Sequence, residues 1–287
     1  MVPSRSMATR ILCIAGPTAS GKSARAVEEA LARGGEVISV DSRQVYRGMD
    51  VGTEKATLEE RRGVPHHLLD VREPEDAYSA ADFVQDAERL IAEISARGKL
   101  PILAGGTHYY FDALLRGLPE VPPNAALRAA LEHVPTEELY ARVRSADARR
   151  ARELDPKNRR RLIRALEIIA ALGAVPPRGW TPGVHPRYEV EWILLEPDRE
   201  KLRARLDSRE ASKFPRGLVE EVRRIRERVG DTRLNELGLE YRIVGEFLRG
   251  ERTDASLLPA LSAKLWQYAR RQKAWLRKLR DETIAAG

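Results

Sequence analysis

Arg10-Ile-Leu-Cys-Ile-Ala15, running straight into Gly16-Pro-Thr-Ala-Ser-Gly-Lys-Ser23, is the stretch that decides how this chain folds. The first six residues are short, apolar and branched, the pattern of a buried strand. The next eight fit G-x-x-x-x-G-K-S. Gly16 and Gly21 let successive backbone N–H groups turn toward a bound anion, with Pro17, Thr18, Ala19 and Ser20 forming the arch between them. Residues 24–31 continue as a helix whose positive end points at the same spot. Lys22 adds a point charge for phosphate, and the Ser23 hydroxyl suits Mg²⁺. Gly34-Gly35 closes that helix, and Glu36-Val-Ile-Ser-Val40 reads as a second buried strand. Strand, phosphate loop, helix and strand in this order open a parallel α/β sheet.

Downstream, Ser79 and Asp82 resemble a capping box, with Asp in place of the usual Glu or Gln. Phe83, Val84, Ala87, Leu90, Ile91 and Ile94 then recur at helical spacing. Gly98 ends that helix, and residues 100–104 form a third strand, weakened by Pro101, that ends at Gly105-Gly106-Thr107. Another helix begins at Tyr109. From about 117 to 186 the chain is punctuated by Pro119, Pro122, Pro123, Pro135, Pro156, Pro176, Pro177 and Pro182, and is Arg-rich and helical between them. The expected organisation is therefore a catalytic core of 1–116 with 187–287, interrupted by a helical insertion at 117–186. Tyr188, Val190, Trp192 and Leu194 alternate with Glu189 and Glu191 as a further strand, and helices dominate the rest, including a long one near 257–279.

The 287 residues suffice for one large core with a smaller inserted domain. No apolar run approaches the ~20 residues of a membrane span, and Met7 is a plausible start. Cys13 is the only cysteine, which excludes an intramolecular disulfide and points to a reducing cytoplasm. The net charge of +7 is concentrated: residues 142–164 hold ten basic side chains against three acidic, and residues 264–280 hold seven against none. Two such patches favour a polyanionic partner over a merely solvated surface. His66 and His67 are adjacent, point in different directions and complete no ligand set. Trp266, Tyr268 and Trp275 read as helix packing residues, although the basic residues between them leave nucleic-acid stacking open.

The phosphate loop identifies a diphosphate and leaves the chemistry to its neighbours. Asp41 ends the second strand and Thr107 follows the third, at the rim where ligands of parallel sheets bind. Asp41 fits a metal partner, a general base or a plain turn aspartate. The Gly105-Gly106-Thr107 turn fits a hydroxyl at the site or a simple strand ending.

These residues together resemble the tRNA dimethylallyltransferases, also called tRNA isopentenyltransferases. The likeness runs from about Ile11 to Arg280. It rests on Gly16–Ser23, Ile38-Ser-Val-Asp-Ser42, Val45-Tyr46, Gly48-Met-Asp50, Val51-Gly-Thr53 and Pro65-His-His-Leu-Leu-Asp70. Tyr78-Ser-Ala-Ala-Asp-Phe83, Gly105-Gly-Thr107, Arg164-Ala-Leu-Glu167 and Tyr268-Ala-Arg-Arg-Gln272 with Trp275 continue it. The resemblance implies transfer of a dimethylallyl group from dimethylallyl diphosphate to N6 of the adenosine 3′-adjacent to the anticodon, with Mg²⁺. By matching position, Asp41 is implied as general base, Gly16–Ser23 as the diphosphate cradle, Thr107 as the residue where adenosine meets donor, and Arg209 as a neutraliser of the diphosphate. Ser42, Arg43, Gln44, Arg159, Arg160, Arg161, Leu162 and Ile163 are implied to touch the tRNA anticodon stem-loop. A monomer is the default expectation.

The chain departs from the family pattern at Lys157-Asn158, at Glu210-Ala-Ser-Lys-Phe214 and at Glu240, where a glycine is usual. A P-loop kinase using ATP, a prenyltransferase of free adenine nucleotides and a non-enzymatic RNA-binding NTPase are the rival readings. The first two leave the basic insertion without a purpose, and intact Lys22, Ser23 and Asp41 speak against the third.

Overall fold

The computed structural model describes residues 8–119, 121–177 and 187–285; the start at 1–7 and the proline at 182 lie outside them. It divides into two compact units, Met1–Leu115 with Trp180–Gly287, and Arg116–Gly179.

The larger unit is an α/β structure. In chain order it contains β1 (Thr9–Ala15), α1 (Lys22–Arg33), β2 (Gly35–Val40), α2 (Leu58–Arg61), β3 (His66–His67), α3 (Ala80–Ala96), β4 (Leu100–Gly105) and α4 (His108–Arg116). After the smaller unit's α5 (Ala125–Leu131), α6 (Thr136–Ala146), α7 (Ala148–Glu153) and α8 (Arg159–Leu172) come β5 (Tyr188–Leu194), α9 (Arg199–Lys213), α10 (Leu218–Leu237), α11 (Leu239–Leu248) and α12 (Asp254–Ala285). The five strands lie in the order β3-β2-β4-β1-β5, all parallel. The strand between β2 and β1 is thus β4, so the chain's first three long strands end side by side.

The period-2 alternation of the strands sorts the core onto two faces. Ile11, Cys13, Ala15, Ile38, Val40 and Leu103 face the cluster built by α3, α4 and the C-terminal helices. Leu12, Ile14, Val37, Ile102 and Ala104 face the opposite way, against Ala26, Val27 and Ala30 of α1. Both faces of β1, β2 and β4 are covered, which is why these strands carry apolar residues on both faces instead of alternating with exposed polar ones. Pro101 is tolerated because it stands second in β4, before pairing with β1 begins at Leu12 and Ile102. β5 is an edge strand: Val190, Trp192 and Leu194 pack inward while Glu191 pairs with Arg10 and Arg33.

The Ser79–Asp82 capping box forms in full. Ser79 Oγ accepts from Asp82 N, and Asp82 Oδ2 accepts from Ser79 N at 2.7 Å. The shorter Asp does the work expected of Glu. The long C-terminal helix extends further than its sequence core, over Asp254–Ala285, and α10 is kinked at Gly230.

The smaller unit has its own core, built from Leu139, Val143, Ala151, Leu154, Leu162, Ile163, Ala165 and Ile168.

Candidate active site

Three strand ends meet at one rim. The loop after β1 is Gly16–Gly21, Asp41 follows β2, and Gly106-Thr107 follows β4, which lies between the other two. Ala19 and Gly21 both take positive φ, 62° and 91°. These two left-handed residues, two positions apart, bend the loop sharply between β1 and α1, as a phosphate-binding loop requires. Gly21 is also the N-cap of α1, without a side chain in the way.

The functional side chains of the loop are held by neighbours. Lys22 Nζ donates to Pro17 O at 2.7 Å, folding the side chain back across the arch. Burial pushes its ammonium down to about 7; Arg209 adds repulsion and Asp41 opposes the shift. A positive charge desolvated beside a second one is a group prepared for an anion. From α9, Arg209 Nη2 donates to Thr18 Oγ1 at 2.6 Å, so the two cations flank the loop. Ser23 is exposed in the first turn of α1.

Asp41 makes the hydrogen bonds of a turn aspartate. Its Oδ1 accepts from the amides of Arg43 (2.8 Å) and Gln44 (3.2 Å). Its Oδ2 has no hydrogen-bond partner among the described residues. The turn therefore fixes the carboxylate through one oxygen and leaves the other unbonded. Thr107 N donates to Val40 O, and Thr107 Oγ1 accepts from Ser42 N at 3.1 Å, tying the ends of β4 and β2 together beside Asp41.

Several expected tRNA contacts prove to be committed elsewhere. Gln44 accepts from Ser39 Oγ and donates to Thr53 O and Glu54 O, so its amide is consumed in bracing the loop after β2. Arg159 donates to the carbonyls of Leu131, Glu132 and Val134, satisfying the C-terminal end of α5. That is a helix-capping role for a residue expected on a phosphate. Leu162 and Ile163 are buried in the smaller unit's core, which closes their side chains to a partner. Apolar residues at that spacing in an amphipathic helix are core residues. Ser42 is half-buried, and Arg160 and Arg161 are exposed. Neither arginine has an ion-pair partner among the described residues. Of the ten basic residues at 142–164, Arg142, Arg149, Arg150, Arg159 and Arg164 are paired or capping, which leaves Arg144, Arg152, Lys157, Arg160 and Arg161 facing solvent.

Other residues at the rim carried no role in the sequence reading. Gln272 of α12 is buried; its Oε1 accepts from Thr18 N at 2.9 Å and its Nε2 donates to Gly106 O at 2.8 Å. It bridges the ends of β1 and β4. A Cβ on Gly106 would stand 2.7 Å from that amide nitrogen, so the bridge needs glycine there. The signal was present in sequence: Leu261, Leu265, Ala269, Gln272, Leu276 and Leu279 are one buried line at helical spacing, with Gln272 as its polar member. His108 stacks on Trp275 with centroids 4.3 Å apart, and burial together with Lys22 pushes its imidazole down to about 3. Trp275 Nε1 donates to Asp112 Oδ2, so this tryptophan packs rather than stacks on a base. Glu221 accepts from the amides of Asp50, Val51 and Gly52 and from the Tyr241 hydroxyl, anchoring the loop that follows Asp41.

The G-x-x-x-x-G-K-S loop with Lys22 and Arg209 beside it, and with Asp41 and Thr107 at the carboxyl edge of the same parallel sheet, defines a P-loop group-transfer enzyme. The model of the IPP transferase family matches residues 44–279. The tRNA dimethylallyltransferase of Thermomicrobium roseum is 44% identical over 281 residues, covering 94% of this chain and 84% of that protein. That of Anaeromyxobacter sp. (strain Fw109-5) is 44% identical over 278 residues, covering 94% and 92%. Among solved structures, the tRNA isopentenylpyrophosphate transferase of Bacillus halodurans superposes with a TM-score of 0.70 at 35% identity, covering 94% of this chain and 87% of that one. A eukaryotic dimethylallyltransferase acting on tRNA gives 0.79 at 29% identity, covering 93% and 70%. This chain belongs to the tRNA dimethylallyltransferase family. No helix among the described residues is long and apolar enough to cross a membrane.

Proposed function

We propose that this protein transfers a dimethylallyl group from dimethylallyl diphosphate to the exocyclic N6 of the adenosine 3′-adjacent to the anticodon of tRNA, releasing diphosphate. The observation that carries the reading is the convergence of Lys22, Arg209 and Thr18 with Asp41 and Thr107 at three adjacent strand ends. In this reaction a bond forms between N6 and the allylic carbon, the bond from that carbon to the diphosphate oxygen breaks, and one proton leaves N6.

Each chain residue has work in that balance. The amine's lone pair is delocalised into the ring, so a carboxylate that takes its proton as the bond forms raises the rate by roughly 10²–10⁴-fold. Asp41 Oδ2 is our candidate, held by the bonds to Oδ1. The leaving diphosphate is stabilised by the loop amides, Lys22 and Arg209. Thr107, bonded to the Asp41 turn, stands where the adenosine would meet the donor. That adenosine has to leave its stack to reach the rim. Ser42, Arg43, Arg160 and Arg161 remain candidates for tRNA contact.

Ser23 suits a Mg²⁺ ion held mainly by phosphate oxygens and water, since its hydroxyl is exposed at the helix start. Among the described residues no group of three His, Cys, Asp or Glu offers an all-protein site. When bound there, the ion supplies further neutralisation of the diphosphate charge.

The test is incubation with labelled dimethylallyl diphosphate, or with γ-labelled ATP, and bulk tRNA lacking the modification. Label entering RNA from the prenyl donor supports the assignment. Phosphate transfer from ATP without prenyl transfer contradicts it.

A further inference from the structure

A buried lysine and a half-buried arginine flank one buried carboxylate beside the phosphate loop. Lys213, at the end of α9, has no exposed side-chain surface. Its Nζ lies 2.9 Å from Glu210 Oε1, and it donates to Gly52 O at 3.1 Å and to Glu240 Oε1 at 3.2 Å. Glu210 is equally enclosed, and neither of its oxygens has a well-aligned hydrogen bond. Its Oε1 also lies 3.5 Å from Arg209 Nε, which is buried without a hydrogen-bond partner. The other end of that guanidinium donates to Thr18 in the phosphate loop. Burial pushes the Glu210 carboxyl up, and Lys213 is the largest influence opposing it, ahead of Arg209.

This is a competition for one carboxylate. Lys213 holds Glu210 at contact distance, while Arg209 stands just beyond it. An arginine fork beside an uncommitted buried carboxylate forms a two-pronged pair with it, because a buried charge left unpaired is costly. Remove Lys213, and Arg209 is the cation left within reach of Glu210. Its guanidinium would turn from Thr18 toward Glu210, and its charge would be neutralised before a diphosphate arrived.

We propose that Lys213 is a positioning residue for Arg209: by occupying Glu210, with Glu240 as its second anchor, it keeps the guanidinium turned to Thr18 and free for the donor's diphosphate. The inference rests on the diphosphate reading of the site given above. It also gives one cause to two departures from the family pattern. The segment from Glu210 to Phe214 and the glutamate at 240 meet in a single buried cluster, in which a lysine brought in by one is balanced by carboxylates from both.

The experiment measures binding of inorganic pyrophosphate by calorimetry, with folding checked by circular dichroism. Lys213→Met weakens binding by about 10-fold, the order expected when a charged hydrogen bond is lost. Adding Glu210→Gln to it restores binding to near wild type, because the competitor is gone; a lysine that merely props the fold gives no such rescue. Lys213→Arg, which keeps the charge, also binds as wild type. Should Lys213→Met fail to fold, Lys213→Gln keeps a donor for Gly52 O and carries the same pair of measurements. Wild-type affinity in the single variant, or a double variant as weak as the single, overturns the proposal. Arg209→Ala separates this from the underlying reading. If Arg209→Ala leaves pyrophosphate affinity unchanged, the diphosphate assignment itself fails. If it weakens binding while Lys213→Met does not, only the positioning role fails.

Discussion

The rim of the sheet and the start of α8 are both polar, and both were expected to touch ligand, yet they spend their polar groups differently. At the rim, side chains bond mainly to backbone: Asp41 to two amides, Gln272 to Thr18 and Gly106, Thr107 to Ser42. Those bonds fix positions and leave specific atoms over, such as Asp41 Oδ2. At α8, neighbouring arginines diverge. Arg159 is consumed in capping α5, while Arg160 and Arg161 point to solvent. A run of like residues is therefore no unit of function. Position within the run decides between structure and binding.

The largest expected effect breaks the rim. Lys22→Ala removes a cation from the diphosphate in both bound state and transition state, so kcat/KM should fall roughly 10³-fold, with donor affinity falling too. Steady-state kinetics with donor titration checks this; intact donor affinity would mean that the side chain serves the loop alone.

At α8 the two kinds of arginine should separate. Arg159→Ala loses its bonds to three carbonyls and should cost about 1–3 kcal/mol of stability in thermal unfolding, with the salt dependence of tRNA affinity unchanged. Arg160→Ala and Arg161→Ala should leave the melting temperature alone and each reduce the salt slope by about 0.7–0.9. The reverse pattern would erase the distinction.

A smaller effect sharpens the electrostatics of the loop. With Lys22 pushed down to about 7, it is largely neutral at pH 8 before ligand binds. A diphosphate favours its charged form, so binding at that pH should take up protons, and affinity should decline as pH rises through 7 and above. Calorimetry in buffers of different ionisation enthalpy reads the uptake, and Lys22→Met should abolish it. Its stability counterpart has the opposite sign: a lysine depressed below its unfolded value of 10.5 releases a proton on folding, so the ligand-free protein gains stability as pH rises from about 7 to 10.5.

Much of this was legible in sequence, for local reasons. The phosphate loop, the capping box at Ser79 and the buried strands depend on neighbours in the chain, and they stand where the pattern puts them. What escaped depends on partners far away. Gln44 is committed by carbonyls nine and ten residues on, Arg159 by the end of a helix 28 residues earlier, and Gln272 by a loop 254 residues distant. The two-residue β3 gave no run long enough to recognise. The family resemblance implies tRNA contact for Leu162 and Ile163, whereas their helical spacing marks them as core.

In the proposed reaction Asp41 acts as the base, and the turn it anchors only holds it in place. Asp41→Asn preserves an oxygen for the amides of Arg43 and Gln44 but removes the proton acceptor. In a single-turnover reaction with donor and tRNA prebound, the rate of prenyl transfer should fall roughly 10²–10⁴-fold with both binding constants nearly unchanged. Transfer at close to the wild-type rate would show that another group takes the proton and that Asp41 is a turn residue only.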